Sequence, residues 1–290
     1  MNVVARANAL DKIRRLSHEI RMDPRLANAK GLVTELVAEL LACLRFCTRL
    51  PLPALSFEKA PHEMPVGAGA RMLPIAGAVI GAIAAITLFI AAKLGFPPPL
   101  AALVSIACLT VLTGGLHEDA LADFADATAG ATPEERLAIM KDSRIGAFGA
   151  LALVLGMLAR VISIAAIATH SLCLACWVLF ATAAVSRTLT LLALYLLPPA
   201  RAAGAGFAAA APSEPAVAIA ALIGFVLGLS PLLAGADFWR VFIALALSIA
   251  AAYGVTALAR ELFKGQTGDI AGASQQAAEI AAYLAYAAQL

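Results

Sequence analysis

Leu112-Thr-Gly-Gly-Leu-His-Glu-Asp-Ala-Leu-Ala-Asp-Phe-Ala-Asp-Ala127 closes a long apolar run, 94–116, with a burst of carboxylates. A run of that length suits a membrane crossing at about 20 residues per helix, and the acids mark where it meets water. Asp119, Asp123 and Asp126 fall at i, i+4 and i+7, so a helix sets all three on one face. Carboxylates aligned in this way repel one another unless a cation sits among them. Their hard oxygens suit Mg²⁺, which keeps several waters and binds substrate phosphates. The stretch therefore reads as a metal-ready face at a membrane border, suited to handling a diphosphate.

The composition around it agrees. Of 290 residues, 62% are hydrophobic and 14% charged, and the mean hydropathy is +0.88. Soluble domains average about 45–50% apolar and 25% charged residues, so the chain reads as a membrane protein. Its net charge of +2 argues against nucleic acid as a partner. Further runs at 72–92, 145–169 (holding Arg160), 171–197 (holding Arg187), 215–236, 241–259 and, less clearly, 270–290 are each long enough to span. The expected fold is all-α, a polytopic membrane bundle of about six to eight embedded helices. No internal repeat is visible, and one membrane-embedded domain over 36–290 is the economical division.

The segment 31–50 differs, because Glu35, Glu39, Arg45 and Arg49 interrupt it; it reads as an interfacial or partly inserted helix ending at Pro51-Leu-Pro53. Residues 1–35 form a basic extension that does not look like a secretory signal. It suits either a short amphipathic helix on anionic lipid or a flexible tail. The five cysteines, including Cys173-Leu-Ala-Cys176, lie in apolar surroundings and read as small hydrophobes rather than a disulfide or zinc framework.

Charge also orients the chain, since Lys- and Arg-rich loops stay cytoplasmic. With the basic N-terminal region inside, alternation puts 117–144, 198–214 and 260–269 on the same cytoplasmic side of the inner membrane. The first of these holds seven of the nineteen acidic residues and closes with Met140-Lys-Asp-Ser-Arg-Ile-Gly146, where Asp142 and Arg144 stand. Arg144 could grip a phosphate through its planar fork. Thr132-Pro-Glu-Glu135 reads instead as an ordinary helix start with acids in its first turn. The third is Lys264-Gly-Gln-Thr-Gly-Asp-Ile-Ala-Gly-Ala273, where Gln266 and Asp269 sit among glycines. Its backbone N–H groups could cradle a phosphate, or Asp269 could simply cap the next helix. Arg160 and Arg187, alone in apolar runs, either line a polar interior or snorkel. Ser186-Arg187-Thr188 suits either a functional site or a structural ion pair. Arg45 and Arg49 could reach an anionic substrate, with interface snorkelling the simpler account. His117 could assist proton transfer or hold a structural hydrogen bond.

Taken together, Thr113-Gly-Gly-Leu-His-Glu-Asp-Ala-Leu-Ala-Asp-Phe-Ala-Asp126, Arg136-Leu-Ala-Ile-Met-Lys-Asp-Ser-Arg-Ile-Gly146 and Gly265-Gln-Thr-Gly-Asp269 resemble the cobalamin synthase family, the adenosylcobinamide-GDP ribazoletransferases. Leu44-Arg-Phe-Cys-Thr-Arg-Leu-Pro-Leu-Pro53 and Leu73-Pro-Ile-Ala-Gly-Ala-Val-Ile-Gly81 share the resemblance, which covers about 36–285 in the family's order. Two departures stand out: Ala120 replaces the family's usual glycine after the first aspartate, and the extension 1–35 has no counterpart in the family pattern.

The resemblance implies transfer of the adenosylcobinamide phosphate group from adenosylcobinamide-GDP to α-ribazole or its 5′-phosphate, with release of GMP. It also implies Mg²⁺ on Asp119, Asp123 and Asp126, and a general base among Asp123, Asp126 and His117. Arg144 and Arg187 would then be phosphate clamps, with Asp142, Gln266 and Asp269 completing the substrate site. Another copy of the chain, or other enzymes of cobalamin assembly, would be the protein partners. A CDP-alcohol phosphotransferase is the nearest competing enzyme, but its usual spacing, Asp-x-x-Asp-Gly-x-x-Ala-Arg, is not the one found here. An ion-coupled transporter would carry its acids in mid-helix within a repeated fold.

Overall fold

A computed structural model describes residues 24–58, 67, 69–201 and 211–288. The expectation for the basic extension falls largely on residues 1–23, outside the described residues. Ten helices make up the described chain: α1 Pro24–Cys47, α2 Leu73–Lys93, α3 Pro98–Thr113, α4 Leu116–Ala127, α5 Pro133–Ile139, α6 Ala147–His170, α7 Leu172–Leu196, α8 Glu214–Gly228, α9 Phe238–Phe263 and α10 Gly268–Ala287. Short 3₁₀ turns, Ala70–Met72 and Ser230–Ala234, lead into α2 and continue α8. Among the described residues there is no strand, only an isolated parallel bridge between Pro199 and Gln266.

Five helical segments are long and apolar enough to cross a membrane: Ala70–Lys93, α6, α7, Glu214–Ala234 and α9. The molecule is a polytopic helical membrane protein. Its outer surface carries the side chains that lipid would cover, such as Leu155 and Ile162 on α6, Phe225 on α8 and Ile249 on α9. The expected span 94–116 needs correction. Its helix, α3, has only 16 residues and stops at Gly114 and Gly115, both with left-handed backbone (φ 66° and 70°). An L side chain resists that conformation, so the glycine pair lets the chain turn by 86° into α4. Helix α3 packs along α2 and returns to the end where the N–H of Arg49 donates to Leu112 (2.8 Å), and we read the turn as carrying α4 across that end, outside the spans. Counted as one broken crossing, α3 and α4 would bring the number to six.

The centre belongs to α7 and α10. The spanning window of α7 is 61% buried, against 28% for those of α6 and α9. Helix α7 packs on α2, α10 and α8, while α10 packs on α9, α4, α7 and α6. Although α10 fails as an apolar span, its Gln275, Gln276 and Glu279 are buried. Helix α1 begins inside the stretch read as an extension and is not among the spans. Arg71, ahead of α2, ties α1 down through ion pairs to Glu35 (2.6 Å) and Glu39 (2.7 Å). Arg45 pairs with Glu58 (2.5 Å) and donates to the carbonyl of Pro53 (2.8 Å), fixing the Pro51-Leu-Pro53 exit. That is an anchoring role rather than a substrate contact. Cys43 and Cys47 are buried as expected, whereas Cys173 is exposed on α7; all five thiols are free.

Candidate active site

The polar segments that charge alternation set on one side do converge at one end of the bundle. Arg201 donates to the carbonyl of Leu137 (2.7 Å) and Arg136 to that of Leu262 (3.2 Å). The backbone N–H of Gln266 donates to Pro198 (2.8 Å), and that of Ala200 donates to Gln266 (2.9 Å). The N–H of Arg49 donates to Leu112 (2.8 Å), and the Arg49 side chain lies against Gly114. These bonds join the loops before α2, around α5, after α7 and before α10 into one rim.

Across that rim lies α4, packed on α10 and α6. Its inner face buries His117, Glu118, Ala120, Ala122 and Phe124; Asp119 is exposed, and Asp123 and Asp126 are half-buried. The shared face of the three aspartates is therefore real, but they serve differently. Both carboxylate oxygens of Asp126 accept backbone N–H bonds, from Gly146 (2.7 Å) and Gly149 (2.8 Å), and so cap the start of α6. Among the described residues Asp123 has no such donors. Burial first, then the carboxylates of Asp119, Asp269 and Asp126, pushes its pKa up to about 6, against the opposing pull of Arg201. Burial likewise raises Asp269, with Arg201 pulling the other way. Asp269 thus joins the aspartate face electrostatically.

Asp269 is free to do so because Thr267 is the residue that caps α10, its hydroxyl accepting from the N–H of Ile270 (3.2 Å). The alternative reading of Asp269 as the cap is not what forms. Thr132 caps α5 in the same way, accepting from the N–H of Glu135 (3.2 Å), so Thr132-Pro-Glu-Glu135 is a helix start as expected. The Ala120 departure is accommodated by the opposing helix: a Cβ on Gly272 would lie 2.5 Å from that of Ala120. The glycine on α10 lets α4 approach with its alanine in place.

Behind the aspartates is a cavity of about 110 Å³ between α1, α2, α4, α7 and α10. Its walls are Phe46, Leu73, Leu116 and Leu194, and its polar lining includes His117, Arg187 and Asp269. Burial, with the Arg187 guanidinium, holds His117 well below the usual imidazole range, and so neutral. Arg144 stands apart at the surface, its side chain 87% exposed and closed on Asp142 (2.5 Å). Hydrogen bonds from Arg144 hold the Asp142 carboxyl down to about 2. Gln266 is buried where its backbone pins residues 198–200.

Two groups escaped the sequence reading. One is Arg201, in the loop after α7, which acts on both Asp123 and Asp269. The other is the acidic half of a buried ion network, of which the sequence reading singles out only the arginines. Arg160 pairs with Glu118 (2.7 Å) and Glu279 (2.8 Å), while Glu279 lies 3.8 Å from Arg187 and accepts from Gln275 (2.7 Å). Gln275 also donates to Ser186 (2.9 Å), and Thr110 donates to Glu118 (3.2 Å). The available signal is chemical: two arginines in apolar runs require buried acids, and Glu279 is an acid within the last apolar run.

A family model described as cobalamin-5-phosphate synthase matches residues 39–287. A relative from Azorhizobium caulinodans, named adenosylcobinamide-GDP ribazoletransferase, is 41% identical over 249 residues, covering 86% of this chain and 94% of its own. Relatives of the same name from Allorhizobium ampelinum and Brucella suis are each 37% identical, over 89% and 86% of this chain and 99% and 96% of their own. No solved structure matches.

Proposed function

The chain belongs to the cobalamin-5-phosphate synthase family, and we propose that its carboxylate end performs the transfer for which its relatives are named. Adenosylcobinamide-GDP donates and α-ribazole, or its 5′-phosphate, accepts. The acceptor's ribose 3′-hydroxyl oxygen bonds to the corrinoid-side phosphorus, and the bond from that phosphorus to the bridging oxygen breaks. GMP leaves with the electron pair. The observation that carries this reading is the meeting of an underneutralised aspartate face with an arginine-lined cavity at one end of the bundle.

The residues present fit Mg²⁺. Repulsion among Asp119, Asp123 and Asp269, opposed by Arg201, is what a divalent cation relieves. Among the described residues no three His, Cys, Asp or Glu groups are gathered to hold an ion alone; Mg²⁺ would be held by one or two carboxylates with waters and substrate phosphates completing its shell. Asp119 and Asp123 would hold it, with Asp126 fixing the helix geometry beneath them. Once bound, the ion would neutralise charge on the diphosphate and on departing GMP.

The protein's own part is mainly positioning and electrostatics, as in other phosphoryl transfers. Arg187 offers buried donors to the acceptor, and Arg144 exchanges Asp142 for a substrate phosphate at the rim. The hydroxyl proton passes to Asp269, the aspartate that also lines the cavity and whose proton affinity burial raises. His117 is disfavoured for that task by its burial and by the Arg187 charge beside it. Substrates enter from the cytoplasm across the inner membrane's inner face, as the placement of Lys and Arg supports.

GMP release by the purified full chain in detergent, with and without Mg²⁺, tests the reading. Asp123→Asn should lower turnover about a hundredfold or more. No product from folded wild-type protein would remove the function, whereas undiminished product from Asp123→Asn would keep the function and remove this account of the site.

A further inference from the structure

Arg187 is offered to the acceptor in the transfer reading, which does not say which part of the acceptor it meets or where the rest of that molecule sits. Arg187 is only 1% exposed, and its Nε and Nη2 donate to nothing among the described residues. Its remaining contacts are a 3.2 Å bond from Nη1 to the Ala183 carbonyl and the 3.8 Å approach to Glu279. Buried donors in native proteins are almost always satisfied, and those of Arg187 stand beside the cavity. The rest of that cavity is mostly apolar, and the half-exposed Phe46 and Leu116 form its rim.

Each part of the reactants meets this cavity differently. Guanine carries several donors and acceptors, which walls of Leu73, Leu194 and Ala120 would leave unpaired. A corrin macrocycle is far too large for about 110 Å³. That volume is smaller than the roughly 150 Å³ that holds a single benzene ring, so a flat ring system enters it edge-first, with the remainder standing out at the open rim between Phe46 and Leu116. A lipid chain would fit the walls but would leave the arginine donors bare. A benzimidazole base is flat, apolar and bicyclic, and in ribazole it is joined to a ribose that presents hydroxyl or phosphate oxygens.

Resting on the transfer reading above, we propose that this cavity seats the acceptor's benzimidazole base, with Arg187 directed at its ribose or 5′-phosphate. The ribose then lies between Arg187 and Asp269, and its attacking hydroxyl faces the aspartate end. The cavity is thus the determinant of which base the enzyme accepts. An apolar bicyclic base enters with its ring edges unchallenged, while a base rich in exocyclic donors is rejected.

Two variants and two readouts test this. Phe46→Ala removes a wall that is 45% exposed and should leave the fold intact, whereas Thr190→Phe fills the cavity from α7. Equilibrium binding of α-ribazole to the full chain in lipid nanodiscs, followed through its benzimidazole fluorescence, should weaken roughly tenfold in each, the scale of one lost aromatic contact. The KM for α-ribazole should rise by a similar factor while that for adenosylcobinamide-GDP holds. Unchanged α-ribazole binding in Phe46→Ala overturns the proposal, as does a rise confined to the KM for adenosylcobinamide-GDP or wild-type protein that binds no α-ribazole. If Thr190→Phe does not fold, Phe46→Ala decides alone. Wild-type protein that binds α-ribazole in a Phe46-dependent way but releases no GMP would retire the transfer reading and keep the seat.

Discussion

Glu118 and Asp119 are neighbours in the chain and opposites in setting. Glu118 points into the bundle, where Arg160 meets it at 2.7 Å, and the network behind it balances two acids, Glu118 and Glu279, against two arginines, Arg160 and Arg187. Asp119 points outward to a face where it, Asp123 and Asp269 repel one another against Arg201. The first cluster is charge-balanced and buried, and meets the cavity through Arg187. The second carries excess negative charge and opens to solvent. Balanced burial is how charge is used to hold helices together, and unrelieved repulsion at a surface is how a site for a cation and a phosphate is prepared. Helix α4 carries both on opposite faces, so the structural network sets the position of the reactive one.

Breaking the balanced cluster should produce the largest effect. Arg160→Met leaves Glu118 and Glu279 buried with too little positive charge, a loss of about 3–5 kcal/mol. The thermal midpoint in detergent should drop by roughly 10 °C. Removing an acid as well, in Arg160→Met with Glu118→Leu, leaves Glu279 and Arg187 as a balanced pair and should recover more than half of the loss. A single variant as stable as wild type would mean the network does not hold α4, α6 and α10 together.

The register between the two clusters is sharpened at a single contact. A methyl on Gly272 would meet that of Ala120 at 2.5 Å, so Gly272→Ala should overpack the junction by about 1–3 kcal/mol. It also lifts Asp119 and Asp123 on α4 away from Asp269 on α10, and a displacement near 1 Å lowers kcat by roughly a hundredfold. Ala120→Gly in the same chain frees the space and should restore most of the activity. If the double variant is as impaired as the single, the contact is not the cause.

The same contrast explains what could be read from the chain. The spans were legible because lipid-facing residues on α2, α6, α7, α8 and α9 have no polar competition. Helix α10 was the least clear because hydropathy averages over all faces, and Gln275, Gln276 and Glu279 lower the average although all three are buried. The aspartate face was legible from its spacing alone. The separate duty of Asp126 was not, since it depends on the N–H groups of Gly146 and Gly149, which only the tertiary fold brings to it. Arg201 escaped for a similar reason: nothing near it in sequence marks it as a neighbour of Asp123.

The smallest expected effect is a pH dependence that separates the two clusters. The Asp123 carboxyl rises from 3.8 to about 6 on folding, so the folded state binds its proton more tightly than the unfolded chain does. The sign follows: without metal, this group costs nothing below about pH 4, and stability falls as pH rises toward about 6 and then levels. A rise of that size would be about 3 kcal/mol for a fully buried group. With Asp123 partly solvent-screened, about 1 kcal/mol is the better figure. In chelator-treated wild-type protein the thermal midpoint should therefore decline by a few degrees across that window, and Asp123→Asn should flatten this part of the profile. Asp123→Asn should also be the more stable protein at pH 7 while being the less active one, because the repulsion that destabilises the fold is the feature that prepares the site. A midpoint that falls equally in both proteins would assign the slope to other carboxylates and leave Asp123 without its unrelieved charge.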